Sequence, residues 1–351
     1  MQPGREGALY REEVAVWDAL WSRVCPDEPL ARHTTFRIGG PADFLLSVHN
    51  MQELLAVVKV ACARGMDFLL LGAGSNVLVS DDGVRGLVIL NRASEIRLSF
   101  TECGGSAQQI DHQGACSTRC LGGLSGGARR GEGPGVPIGL QVASGVPLGR
   151  LVGMAARKGW EGLEWAVGIP GTIGGAIVQN AGAYGGCMAD VLLRARVMNR
   201  EGEVRTLGRE QLALGYRTSR FRCGNASEVV LSTDLQLKSG SRAEVTACMA
   251  EHLARRKAAQ PPLPSAGSVF KNPPGDHAAR LIEAAGLKGT RIGDAMVSPK
   301  HANFIVNAGH ARAVDVKDLI DQVCAVVVER FGTKLEPEVQ LVGNWHGSCE
   351  Q

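Results

Sequence analysis

Aromatic residues are scarce in this chain: three tyrosines, five tryptophans and eight phenylalanines make up 5% of it. Basic residues are scattered apart from Arg129-Arg130 and Arg255-Arg256-Lys257, and neither cluster has an aromatic stripe beside it on which bases could stack. A strong charge of one sign is missing too, since the formal net charge is only +3, so no nucleic-acid partner is expected. Long apolar runs are absent: no stretch of about 18 apolar residues exists to cross a bilayer, and Met1–Val14 lacks the apolar core of a signal peptide. A cytoplasmic protein without membrane attachment is the expectation. A disulfide framework also finds no support. Cys62, Cys248 and Cys324 fall at apolar positions of helical patterns, where a thiol behaves as a small hydrophobe. Cys103, His112, Cys116 and Cys120 cluster, but at a spacing that matches no common zinc pattern, so no metal site is expected.

Glycine is what the chain has in quantity, 46 of 351 residues, with 44% hydrophobic and 21% charged content. That composition fits a compact α/β or α+β protein rich in tight turns, and the length exceeds one ordinary core, giving two or three domains. An amphipathic helix opens the chain with Val14, Trp17, Leu20 and Val24 on one face. Alternation over Phe44–Val48 predicts a strand, and Asn50 with Glu53 a capping box that starts a helix through Cys62. Strands follow at Phe68–Leu71, Val77–Val79 and Leu87–Leu90. Residues 102–135 hold ten glycines without apolar periodicity and are expected to be a flexible surface insertion. Beyond it come a strand at Pro137–Ala143, a helix from Pro147, a hairpin formed by Arg194–Asn199 and Glu203–Leu207, and a strand at Glu228–Leu237. Ser241 and Glu244 cap a helix to about Lys257. The remainder predicts a strand at Val269–Phe270, a helix over Ala278–Ala285, a strand at Phe304–Val306, a helix over Val314–Arg330 and a last strand at Val339–Val342.

Two glycine-dense blocks carry the chemistry. Gly72-Ala73-Gly74-Ser75-Asn76 follows a strand but lacks the third glycine and the helix of a nicotinamide-binding Rossmann turn. Its backbone N–H groups could still cradle a pyrophosphate, with Ser75 and Asn76 as side-chain donors; a plain turn is the alternative. Gly168-Ile169-Pro170-Gly171-Thr172-Ile173-Gly174-Gly175 is denser in glycine than a connection requires, which suits a flat or phosphorylated ligand. Asn180–Gly185 continues that theme. A large cofactor shared by both blocks is the expectation.

At this point the chain resembles the UDP-N-acetylenolpyruvoylglucosamine reductases, in Thr34–Gly40, Gly72–Asn76, Gly168–Gly175 with Gln179–Gly185, Gly215-Tyr216-Arg217, Pro264–Ser268 through Phe270–Pro273, His301–Phe304 and Leu335–Val339. The likeness runs from about residue 33 to 343, broken by the 102–135 insertion. It implies an α+β protein with the FAD-binding fold of the vanillyl-alcohol-oxidase type in two subdomains, residues 1–91 and 92–239, and a substrate-binding α/β domain, residues 240–351, whose last strand carries Glu338. It implies non-covalent FAD bound by Arg37, Gly72–Asn76, Gly168–Thr172, Gly174 and Gly175, NADPH as reductant, and UDP-N-acetylglucosamine enolpyruvate as substrate. Ser268 would be the proton donor, Arg217 and Glu338 its catalytic partners, and Tyr216, Lys257 and Asn272 substrate contacts, with Arg256 open as the alternative to Lys257. The short spans from Arg217 to Ser268 and from Ser268 to Glu338 match the family's second, shorter type, taken as a monomer. Two other readings stay open: an oxidase of the same fold, and a silent nucleotide-sugar binding protein.

The residue types suit reduction of an enolpyruvyl group. Hydride addition to C3 sends charge through C2 onto the carboxylate, and a permanently charged planar guanidinium answers charge that grows in the transition state. A carboxyl such as Glu338 can help only if protonated or acting through another donor. A serine hydroxyl is a weak acid that serves against a strongly basic carbanion.

Overall fold

The computed structural model describes residues 4–99, 108–110, 135–222 and 228–345. The chain forms two compact units, each assembled from separated segments. The first comprises Met1–Ser22, Ser47–Gly65 and Asn91–Ala254; the second comprises Arg23–Leu46, Met66–Leu90 and Arg255–Gln351.

The first unit is built on an antiparallel sheet in the order Val204–Gly208, Leu192–Met198, Val229–Ser239, Pro137–Ala143, Ile96–Leu98 and Gln108–Ile110, with Trp160–Glu161 paired to the end of Val229–Ser239. Helix Leu148–Lys158 buries Leu148, Leu151, Val152 and Ala155. It stops where Gly159 turns left-handed at φ +69, a conformation that costs glycine little. Those side chains join Leu140, Val142, Trp165, Ile173, Leu192 and Leu235 in one core; each fully buried aliphatic contributes about 1.5–3 kcal/mol. Helices Gly4–Trp21 and Met51–Ala63 pack together, helped by a Glu13–Lys59 ion pair at 2.6 Å.

The second unit has a four-stranded sheet ordered Cys25–Pro29, Pro41–Val48, Val84–Asn91, Phe68–Leu71. Val77–Val79 pairs in parallel with Gln340–Val342, although more than two hundred and fifty residues separate them in sequence. Arg291–Ile292, Ala295–Val297 and Ile305–Asn307 form a meander, accompanied by helices Ala278–Ala284 and Ala313–Phe331. One core gathers Phe36, Ile38 and Leu78 with Leu281, Ile282, Leu319, Val323 and Val339.

Most predicted elements occur within a residue or two, and the departures have identifiable causes. The opening helix ends at Trp21, which leaves Val24 outside it. Asn50 caps its helix through Glu53 N at 2.8 Å, while the Glu53 carboxylate accepts from His49 N at 2.7 Å. The second glycine block contains a short helix, Ile173–Val178, capped by Thr172. Val269–Phe270 is no strand but a single bridge, Phe270 to Pro337, because its pairing with that segment stops at the two flanking bonds, Glu338 N to Val269 O and Lys271 N to Glu336 O. Most of the 102–135 insertion, with its Cys103, His112, Cys116 and Cys120, lies outside the described residues. Within it only Gln108–Ile110, paired to Ile96–Leu98, and Gly135 are described, so the expectation of a wholly loop-like insertion fails at that strand. Cys25, Cys62, Cys187, Cys248 and Cys324 are free thiols, and burial raises Cys324 to about 11. Among the described residues no helix is long and apolar enough to cross a membrane, and no His, Cys, Asp and Glu side chains group to hold a metal.

Candidate active site

In the second unit, Gly267 at φ +79 turns the chain into half-buried Ser268. The next residues run antiparallel to Glu336–Val339: Glu338 N donates to Val269 O at 2.7 Å, and Lys271 N donates to Glu336 O at 2.9 Å. An ion pair between Lys271 and Glu336 adds a side-chain clip. Ser268 and Glu338 are thereby brought onto neighbouring segments in fixed register. On the opposite edge stands Asn303, which is 4% exposed. Its carbonyl accepts from Val269 N at 2.8 Å, its Oδ1 accepts from Phe270 N at 2.9 Å, and its Nδ2 donates to Phe270 O at 2.8 Å. His301 Nδ1 accepts from Asn303 N at 3.3 Å. That bond needs an unprotonated Nδ1, and burial depresses the imidazole pKa accordingly.

The first glycine turn belongs to this same unit. Asn76 Nδ2 donates to Glu338 O at 3.1 Å and Asn76 O accepts from Gln340 N at 3.0 Å, tying the turn to the segment that bears Glu338. Gly74, at φ +59, is imposed by chain crossing, since a Cβ there would strike His33 O. Gly74 O accepts from Thr35 N at 3.0 Å, and Thr35 Oγ1 donates to Ser265 O at 2.8 Å, so Thr34–Gly40 links the turn to the Ser268 loop. Arg37 is exposed at φ +57. Lys257 is exposed near the C-terminal end of helix Arg242–Ala259, where its carbonyl accepts from Lys300 Nζ at 2.6 Å. Arg256 reaches Gln260 at 3.3 Å. Asn272 is exposed, and its Oδ1 accepts from Ala278 N at 3.1 Å at the start of helix Ala278–Ala284.

Arg217 and Tyr216 belong to the first unit, at the tip of a tight turn closed by Gly215 N to Thr218 O at 3.0 Å. Arg217 takes φ +53, Tyr216 is 58% exposed, and the guanidinium lies 5.4 Å from the phenol ring centre. The second glycine block supports this turn. Asn180, buried and at φ +42, donates from Nδ2 to Gly215 O at 2.9 Å; Arg217 Nη2 donates to Gly182 O at 2.8 Å; and Ser219 Oγ donates to Val178 O at 2.7 Å. Asn180 and Asn303 both lie inside sequence strings already noted, yet nothing in those strings marks them as supports.

A FAD molecule needs side-chain-poor surface for its ring system and diphosphate. At Gly174 packing by itself demands glycine, since a Cβ there would sit 2.9 Å from Ser144 Cβ. Gly168 and Gly175 in one unit and Ala73 in the other are exposed and carry little or no side chain, which fits them for close ligand approach. Beside them in sequence, Pro170 is exposed and Ile169, Gly171, Gly72 and Ser75 are half-buried, whereas Thr172 is buried and its Oγ1 accepts from Gly175 N at 3.4 Å.

Residues 258–342 match the family model of the UDP-N-acetylenolpyruvoylglucosamine reductase C-terminal domain, and residues 139–208 match that of an FAD binding domain. UDP-N-acetylenolpyruvoylglucosamine reductase 2 of Symbiobacterium thermophilum is 42% identical over 92% of this chain and 93% of its own. The reductase of Synechococcus elongatus is 43% identical over 90% of this chain and 94% of its own. Among solved structures, the reductase of Thermus caldophilus aligns with a TM-score of 0.67 and 36% identity over 90% of this chain and 97% of that one. The architecture is therefore an FAD-binding α+β fold joined to the reductase C-terminal domain. With identity sustained along nine-tenths of its length, the chain belongs to the UDP-N-acetylenolpyruvoylglucosamine reductase family.

Proposed function

We propose that this FAD-dependent oxidoreductase reduces UDP-N-acetylglucosamine enolpyruvate to UDP-N-acetylmuramate, with NADPH as reductant, in peptidoglycan precursor synthesis. The observation that carries the catalytic reading is the fixed register of Ser268 and Glu338, both inside the stretch that matches the reductase C-terminal domain. Bound FAD, once reduced by NADPH, would supply the hydride that adds to C3 of the enolpyruvyl group. Arg217 answers the charge that then accumulates on the substrate carboxylate, its planar fork matching two oxygens. Ser268 Oγ–H delivers the proton to C2, a transfer favoured by the basicity of the carbanion. Glu338, in its protonated form, adds a second donor toward the same charge. Tyr216, Lys257 or Arg256, and Asn272 hold the diphosphate-sugar portion. Arg37, Gly72–Asn76, Gly168–Thr172, Gly174 and Gly175 hold the cofactor. The proposal includes a cytoplasmic monomer of the shorter type, the division at about residues 91 and 239, and a place in cell-wall growth, shape and division.

Ser268→Ala tests it. Stopped-flow measurement should find flavin reduction by NADPH nearly intact and flavin reoxidation by the enolpyruvyl substrate collapsed; equal loss in both half-reactions would remove Ser268 from proton delivery.

A further inference from the structure

We infer that Asn303 is a positioning residue for the protonation step, its carboxamide serving as the missing β-strand on the outer edge of the Ser268 segment. The inference rests on the reading of Ser268 as proton donor. Val269–Lys271 pairs along one edge with the extended segment Glu336–Val339, which carries Glu338. Among the described residues its other edge meets no strand. There Asn303 makes three bonds to two successive residues: main-chain carbonyl to Val269 N, Oδ1 to Phe270 N, and Nδ2 to Phe270 O. The paired amide bonds reproduce the exchange of N–H and C=O made by directly opposed residues in an antiparallel ladder. Phe270 is 2% exposed and Asn303 4%, so water does not compete for these groups.

Asn303 is itself fixed from behind. Ser298 N donates to Phe304 O at 2.8 Å, Phe304 N donates to His301 O at 3.0 Å, and His301 Nδ1 receives Asn303 N. The turn is thus rigid before it meets Phe270. Ser268 lies one residue before the clamped pair, and the clamp fixes the direction in which the chain leaves Ser268. A shift of about 1 Å in a reacting group can cost on the order of 100-fold in rate, so a loosened Phe270 is felt at the hydroxyl without any contact between Asn303 and substrate.

The test uses FAD-loaded enzyme carrying Asn303→Ser, Asn303→Asp, Ser268→Ala or the Asn303→Ser/Ser268→Ala pair, with the two half-reactions followed separately. Asn303→Ser should slow reoxidation by the enolpyruvyl substrate by roughly 10- to 100-fold while flavin reduction by NADPH changes less than about twofold. Asn303→Asp keeps the shape and the acceptor, loses the donor when ionised, and should recover part of the rate as pH falls and the carboxyl protonates. Added to Ser268→Ala, Asn303→Ser should cost nothing more. Parallel loss of both half-reactions, a pH-independent Asn303→Asp, or full additivity in the pair would each overturn the role. If Ser268→Ala alone leaves reoxidation untouched, the proton-donor reading fails first and this inference falls with it, an outcome distinct from the other three.

Discussion

At the scale of single residues, backbone strain collects where the chemistry is proposed. Asn180, Tyr184 and Arg217 all hold positive φ within one unit and within the glycine block and turn that support each other. Such conformations cost about 1–3 kcal/mol for a residue with a Cβ and persist only where the surroundings enforce them. A turn position of this kind is ordinarily filled by glycine or asparagine. An arginine there points to selection for its guanidinium rather than for the fold. Arg217→Gly should therefore leave stability within about 1 kcal/mol of the parent, since relief of strain offsets the lost bond to Gly182, worth about 1.5–3 kcal/mol for a charged donor. Turnover should fall by about 100-fold or more, the scale seen when a donor to a developing oxyanion is removed. Urea denaturation and steady-state kinetics on the same preparation separate the two. A loss of several kcal/mol would mean that Arg217 is structural.

At the scale of elements, helix Ala313–Phe331 shows what a sequence can and cannot declare. Its apolar period was readable, because Val316, Leu319, Ile320, Val323 and Val327 repeat at helical spacing and all are buried. Its cap was not. Asp81, from the turn after Val77–Val79, accepts from Ala313 N at 2.8 Å and Val314 N at 3.0 Å, across 232 residues of chain. Asp81→Ala should lower unfolding stability by about 1–2 kcal/mol, as for loss of a good N-cap, and Asp81→Asn by less; equilibrium denaturation of both variants measures it. The same asymmetry runs through the candidate site. Ser268, Arg217 and Glu338 stood inside legible strings, whereas Asn303 and Asn180 act through side chain to backbone bonds that no local period encodes. Val77–Val79 and Val339–Val342 were both legible as short strands, but their parallel pairing was not, since periodicity reports which faces are buried and is silent on pairing. Helix Ile173–Val178 was hidden by its two glycines, poor helix formers individually; Thr172 capping and burial of Ile173, Ala176 and Ile177 override that preference.

At the scale of the whole molecule, the C-terminal stretch that matches the reductase domain does not own its core. Phe36 and Leu78, fully buried, and Ile38, at 3% exposure, come from segments far upstream, yet they pack with Leu281, Ile282, Leu319 and Val339. Three side chains of that size contribute roughly 5–9 kcal/mol by burial, an upper figure that matches the whole net stability of a typical domain, about 5–15 kcal/mol. The upstream segments also supply the parallel partner of Gln340–Val342 and the Asp81 cap. Residues 255–351 made alone should consequently lack a cooperative thermal transition and show poorly dispersed amide resonances. Joining residues 23–46 and 66–90 to that fragment should restore both, because these are the segments that complete the second unit. If the isolated fragment melted sharply, Phe36, Ile38 and Leu78 would be dispensable lids on a core that closes without them. The fixed register of Ser268 and Glu338 would then depend on the last hundred residues alone.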